Sequence, residues 1–423
     1  MHTEVSMGQG WQVGRVFGIP LYIDRSWFFV ILLFTFLNGS DWQATYPQWG
    51  AWVWGMGFVV SLLLFASVLL HELGHSLVAR CQGITVRSIT LFLFGGMAAI
   101  ERESNTPGQA FQVAIAGPLV SFALFALLQG AAILLPADDP FHELLRYLAH
   151  INFVLGVFNL LPGLPLDGGQ VLKAAVWKLT GNRFQGMRWA ARSGQLLSWL
   201  AISFGLFVTL LGSGNGLWLA LLGWFALQNA TLYHRLGQLQ EALLTLTAAD
   251  AMTRDFRVIE GRLSLREFAD RYLLLADRQP TAYFVATEGR YRGYLDPHAL
   301  SHVERSRWEV TPVEELAVPL RAIPTLKEAD SLAKAVCTLE EQQQRFVTVL
   351  TPADAVAGIL DRGDILLALA QRLHWQLGKQ DIQRLKQERH YPPELQLLEL
   401  AHTVLQFQGS DRQKLVALPT QQR

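Results

Sequence analysis

Within a long apolar run, the residues His71-Glu72-Leu73-Gly74-His75 spell H-E-x-x-H. On a helix, residues four apart project from one face, so the two imidazoles would sit side by side about one turn apart. Two imidazoles at that separation can grip one zinc ion. Glu72 stands beside them, placed to act on water rather than on the metal. In a soluble helix the same residues can be no more than a solvated polar patch. Here the preceding stretch, Ala51 to Leu70, is almost entirely apolar. An ionisable cluster at the end of such a run is costly in lipid and marks a functional site.

An open catalytic zinc site uses three protein ligands and leaves a position for water. Asp167 is the leading third candidate. It lies in the Gly/Pro-rich break Leu161-Pro162-Gly163-Leu164-Pro165-Leu166-Asp167-Gly168-Gly169. Its local reading is a turn residue, because Asp-Gly is a common turn pair. His150 and Glu101 compete, the first near the start of the apolar segment Leu144 to Leu161, toward the outside, and the second in a basic loop. Asn159 closes an apolar segment and needs a polar partner. Bonding to backbone and contact with a substrate or oxyanion are both open to it.

These residues must be positioned by membrane helices. Charged residues are 17% of the 423, against a usual ~25%, and the deficit lies in the N-terminal half. Apolar segments run from about Leu21 to Ser40, Ala51 to Ala79, Phe111 to Leu135, Leu144 to Leu161, Trp189 to Leu211 and Leu217 to Tyr233. That predicts six spans, the first needing its flanks because the apolar run Trp27 to Leu37 is too short to cross alone. Trp42, Trp49, Trp52 and Trp54 form an interfacial belt at the start of the second. Gly18 to Ile23 reads as a short strand. Ile84 to Ile100, β-branched and broken by Gly95-Gly96, reads as a β-hairpin.

The loop charges test the count. The loop holding Asp41 lacks Lys and Arg, as does the one with Asp138, Asp139 and Glu143, and the one at Gly212 to Gly216 is uncharged. The loops between them carry Arg80, Arg87 and Arg102, then Lys173, Lys178, Arg183 and Arg188, and Arg235 follows the sixth segment. By the positive-inside rule both termini are cytoplasmic. The second and fourth segments then both run inward and bring His71, His75 and Asp167 to one membrane depth. The formal net charge of zero gives no general attraction to nucleic acid. Cys81 and Cys337 are too few and too far apart for a disulfide framework or a cysteine metal site. No cleavable signal peptide is expected.

H-E-L-G-H in a membrane segment, followed by Asn159-Leu-Leu-Pro162-Gly-Leu-Pro-Leu-Asp167-Gly168, resembles the site-2 protease family of intramembrane zinc metalloproteases. The resemblance covers roughly residues 10 to 235, including Ala116-Gly117-Pro118-Leu119. It implies that His71, His75 and Asp167 hold Zn2+, that Glu72 is the general base, and that Asn159 contacts substrate or transition state. It also implies substrates that are transmembrane segments of other proteins, with a membrane-tethered transcription regulator as the family expectation. One subgroup carries a C-terminal pair of cystathionine-β-synthase-type (CBS) domains.

After Arg235 the composition changes. A linker helix is expected at 236–247 and a tail at 371–423. Residues 248–308 and 310–370 share one rhythm: an opening turn and strand, a helix, two strands and a closing helix. A repeat near 60 residues implies two units packed together. This α+β pair at 248–370 resembles a tandem CBS module, which implies adenine nucleotide binding or homodimerisation. In the second repeat, Gly358-Ile359-Leu360-Asp361-Arg362-Gly363-Asp364 keeps the ribose-binding Asp of the family motif at Asp364 but has Asp361 in place of Thr. The first repeat lacks that Asp. Two other readings of the chain are a CBS-regulated channel or transporter and a non-catalytic membrane scaffold. The first would scatter charges along several helices at mid-membrane, and the second would not need Glu72.

Overall fold

A computed structural model describes residues 10–93, 95–136, 139–212, 214–274, 280, 282–375, 391 and 395–416. The chain divides into two units, Met1–Gly237 and Gln238–Arg423.

The first unit opens with a hairpin of β1 (Trp11–Val16) and β2 (Ile19–Ile23). After two helices the chain returns to the same sheet as β3 (Val86–Phe92), parallel to β2, and then β4 (Gly95–Ile100), antiparallel to β3. The order is β1-β2-β3-β4, so β4 is an edge strand. The expected 84–100 hairpin is thus half of a four-stranded sheet. Ile19, Leu73, Ile84 and Ile89 bury its inner face against a helix.

That helix is α2 (Trp52–Cys81), preceded by α1 (Arg25–Thr45), whose N-terminus is capped by Asp24 accepting from Ser26 N. α3 (Pro107–Ile133) starts at Thr106, which accepts from Gln109 N, with Pro107 in the first turn. This is the usual pairing of a hydroxyl cap with a proline that has no N–H to satisfy. α4 (Pro140–Asn159) is capped by Asp139. α5 (Asp167–Thr180) ends at Gly181, which is left-handed at φ 69°. α6 (Arg183–Leu210) follows, capped by Asn182, and then α7 (Asn215–Thr245).

Among the described residues three helices, α2, α3 and α6, are long and apolar enough to cross a membrane, rather than the six expected. α1 and α4 are 21 and 20 residues long. They fall short in composition. α1 ends in Asn38, Ser40, Asp41 and Gln43, and α4 begins with His142, Glu143 and Arg146. Two further readings change. The basic stretch read as a loop after Asp167 is α5, which turns its apolar side to α6. Residues 236–245, read as a separate linker helix, continue α7.

The second unit carries the expected repeat, with different edges. β5 (Phe256–Glu260) runs parallel to β6 (Ala282–Thr287), which pairs antiparallel with β7 (Arg290–Leu295), with β8 (Val318–Pro319) on the edge. β9 (Thr325–Lys327), β10 (Phe346–Leu350) and β11 (Val356–Asp361) repeat that parallel-then-antiparallel pattern. The opening segments are exchanged. Ala248–Ala251 forms a helical turn, α8, and the segment bonds to the second repeat through Ala248 N to Asp330 O and Thr253 paired with Ile359. Thr311 and Pro312 bond back to the first repeat at Leu265 and Ser264. The strand expected at 249–253 therefore stands at Phe256–Glu260. α9 (Leu265–Phe268) starts the first repeat's helix and α10 (Leu332–Glu341) is the second's. α11 (Arg362–Leu373) closes the second repeat, and α12 (Leu397–Val416) lies in the segment expected as a tail.

Candidate active site

α2 places His71 and His75 one turn apart, as the spacing requires, and both are buried. Asp167, the first residue of α5, reaches them. Its Oδ2 lies 3.0 Å from His71 Nε2 and 3.2 Å from His75 Nε2, and the two Nε2 atoms are 3.3 Å apart. Bonds of ~2.0–2.1 Å at near-tetrahedral angles put ligand atoms about 3.3 Å from one another, so the triangle has the dimensions of three zinc ligands.

The outer nitrogens fix the rings. His75 Nδ1 lies 2.7 Å from the Val113 carbonyl, which can only accept, so Nδ1 carries the proton. In the neutral ring Nε2 is then a bare lone pair, facing a carboxylate oxygen and a second imidazole nitrogen. A lone pair, a carboxylate oxygen and a second imidazole nitrogen turned to one place fit a cation between them. His71 Nδ1 is held by Ser121 Oγ at 2.9 Å. Such outer partners orient metal-binding imidazoles.

Both outer partners come from α3, which crosses α2 at this point. The crossing needs Gly117. A Cβ there would stand 2.2 Å from His75 Nε2 and 2.6 Å from His71 Nε2. The glycine pair after Asp167 has a similar reason. A Cβ on Gly168 would lie 2.2 Å from the Leu160 carbonyl oxygen, so the pair lets α5 fold back on the loop that carries it.

Glu72 is not part of the triangle. It faces β4, where a Cβ on Gly96 would stand 2.6 Å from its Cγ, and it lines a cavity of about 390 Å³ together with His75, Asp167 and Met97. A carboxylate beside three groups that could hold a metal ion, and open to a cavity, can move a proton on a water there.

Of the other residues singled out in the sequence, none joins the triangle. His150 is exposed on α4. Glu101 pairs with Arg87 at 3.0 Å. Asn159 is half-buried at the end of α4 and is not among the residues lining the cavity. In the second unit Asp364 is buried and spent in a reciprocal cap with Asp361: Asp364 N donates to Asp361 Oδ1 at 2.8 Å and Asp361 N to Asp364 Oδ2 at 3.2 Å.

Four features escaped the sequence reading. Ser121 and Gly117 lie one helical turn apart in Ala-Gly-Pro-Leu-Val-Ser, the polar and the small residue on one face of an apolar helix. That spacing was a readable signal. Asn152, fully buried on α4, donates to Ser67 Oγ at 3.0 Å, one turn before His71. Glu103, on the cavity wall, pairs with Lys173 at 2.5 Å and Arg183 at 2.6 Å. No local pattern announces that last cluster, because Glu103 is 70 residues or more from both of its partners in sequence.

Residues 59–137 and 135–201 match peptidase family M50. Over 366 residues the chain is 41% identical to a Synechocystis sp. protein named as a zinc metalloprotease, covering 86% of this chain and 96% of that one. The chain belongs to peptidase family M50. It is an intramembrane zinc metalloprotease of the site-2 type. The chain is also similar to the solved site-2 protease from Methanocaldococcus jannaschii, with 28% identity over 53% of this chain and 95% of that chain, at a TM-score of 0.41. A CBS domain pair/ACT domain protein from Thermotoga maritima is similar over 30% of this chain and 99% of that chain, with 21% identity and a TM-score of 0.24.

Proposed function

We propose that His71, His75 and Asp167 hold the zinc ion of this M50 peptidase and that Glu72 is its general base. The convergence of two imidazole Nε2 atoms and one carboxylate oxygen within 3.3 Å carries this reading. A bound zinc ion supplies a Lewis acid for the scissile carbonyl and water acidified toward a pKa of ~7. Val113 and Ser121 hold the imidazoles with their Nε2 atoms inward. Glu72 takes the proton of the attacking water and delivers it to the leaving nitrogen. Asn159 contacts substrate from the end of α4, a role its sequence context supports more than its placement does.

The substrates are transmembrane segments of other membrane proteins, a membrane-tethered transcription regulator being the expected class. A helical substrate must unwind to offer a peptide bond. The edge of β4, beside Glu72, is suited to hold it as an added strand. Equal hydrolysis by a variant with proline in β4 would sink that step. α1, α4 and α7 join α2, α3 and α6 as spans, giving a six-pass cell-membrane protein with both termini cytoplasmic. Residues 1–235 form the protease domain, 236–247 a linking segment, 248–370 a tandem CBS pair and 371–423 a tail. Because the cap occupies Asp364, we assign the pair to homodimerisation and modulation rather than to adenine nucleotide. A mobility or thermal shift on adding ATP or AMP would reverse that assignment.

Metal analysis of the purified protein tests the site. Wild type and Glu72→Gln should each carry one zinc per chain, whereas His71→Ala and Asp167→Asn should lose it while staying folded. Zinc retained in both ligand variants overturns the assignment.

A further inference from the structure

Glu103 sits three residues past the end of β4, in the turn that leads to α3. Its Oε2 is within 2.5 Å of Lys173 Nζ and 2.6 Å of the Arg183 guanidinium. Lys173 is 4% exposed and lies on α5, the helix that begins with Asp167. Arg183 opens α6. A buried lysine is rare unless paired. The pairing is strong enough that, although desolvation pushes the Glu103 carboxyl up, Lys173 and then Arg183 outweigh it and hold it down at about 2. Glu103 still keeps 41% of its side-chain surface, and it lines the cavity shared by Glu72, His75 and Asp167.

The two walls of that cavity are held very differently. α5 is locked by close backbone packing, Gly168 on Leu160 and Gly169 on Leu164. β4 is an edge strand, half-buried along most of its length. Its sheet partner β3 holds one side, and at its exit the ion pairs of Glu103 tie it to α5 and α6. An Arg–Glu–Lys cluster of this kind is weak evidence for stability, but removing Glu103 leaves the two cations Lys173 and Arg183 without compensation.

We infer that Glu103 is a positioning residue for peptide hydrolysis: by tying the exit of β4 to Lys173 on α5 and Arg183 on α6, it sets the width of the cavity between the β4 edge and Asp167 in which a substrate strand lies. This rests on the hydrolytic site proposed above. The contribution is to substrate alignment rather than to metal binding, because the zinc triad is held by α2, α3 and the packed start of α5. A misplacement of about 1 Å at a site can cost on the order of 100-fold in rate.

The test uses the full chain in detergent with a transmembrane model substrate. Glu103→Gln should raise KM about tenfold or more and lower kcat less, with bound zinc unchanged. Glu103→Asp, which keeps the charge on a shorter arm, should recover part of the loss. An activity-independent measurement accompanies it. Amide hydrogen exchange at Gly95–Ile100 should speed up in Glu103→Gln while exchange along α2 stays as in wild type. Faster β4 exchange in Glu103→Gln, alongside a wild type that cleaves nothing, would support the tether and count against the proteolytic reading. Unchanged β4 exchange with unchanged KM overturns the proposal. Loss of zinc or of folded protein in step with activity, KM being intact, overturns it in favour of a purely structural ion cluster.

Discussion

At the scale of single residues, the site is made by what surrounds the ligands as much as by the ligands. His75 presents a lone pair inward because the Val113 carbonyl takes its Nδ1 proton. His71 is steadied by Ser121. Gly117 is the space in which both rings stand. Gly117→Ala should therefore lower zinc affinity by at least tenfold, within the range seen when outer partners of metal-binding imidazoles are lost. Competition with a chelator of known affinity measures it. Affinity equal to wild type would mean that α3 moves aside without consequence, and the account of the crossing would be wrong. Asp364 shows the opposite lesson. A residue matching a ligand motif also serves as the third residue of a capped helix, and its neighbour Arg362 reaches back to Glu340 at 2.7 Å and to the Leu339 and Gln344 carbonyls.

At the scale of elements, Glu103 gives the sheet-to-helix contact a pH dependence. Its carboxyl falls from an ordinary 4.5 to about 2 in the folded chain. A depressed carboxyl stabilises the fold fully above its unfolded value, and that contribution is lost as pH falls through the folded one. Acid unfolding followed from pH 4.5 downward should thus be less steep in Glu103→Gln than in wild type. Identical profiles would remove Glu103 from the contact. The elements themselves were unevenly legible. α2 and α3 declared themselves by long apolar runs and the hairpin by its β-branched residues around Gly95-Gly96. α5 was missed because Lys173 and Lys178 read as loop charges, although both lie on a helix and Lys173 is buried against Glu103. The exchanged opening segments of the second unit were missed for another reason. A repeat in sequence fixes its period but not where one folded repeat ends, and Ala248 and Val313 bury themselves in each other's repeats. The triad was legible because i, i+4 spacing and charge-derived depth converge on it, whereas the Glu103 cluster depends on contacts that have no sequence period.

For the whole molecule, orientation makes a prediction that a native residue can report. Cys81 ends α2 and is exposed, while Cys337 is buried. A membrane-impermeant thiol reagent should label Cys81 in inside-out vesicles and not in right-side-out ones. The reverse pattern would invert the topology derived from the loop charges. Hydrolysis of membrane-embedded peptide bonds is assigned to Glu72 beside the proposed zinc ligands His71, His75 and Asp167. Its most direct test is purified protein reconstituted with a transmembrane model substrate, comparing wild type with zinc-loaded Glu72→Gln. Wild type should cleave, and the variant should be slower by roughly 100-fold or more, the scale of general acid–base catalysis. Cleavage by Glu72→Gln at the wild-type rate would contradict it.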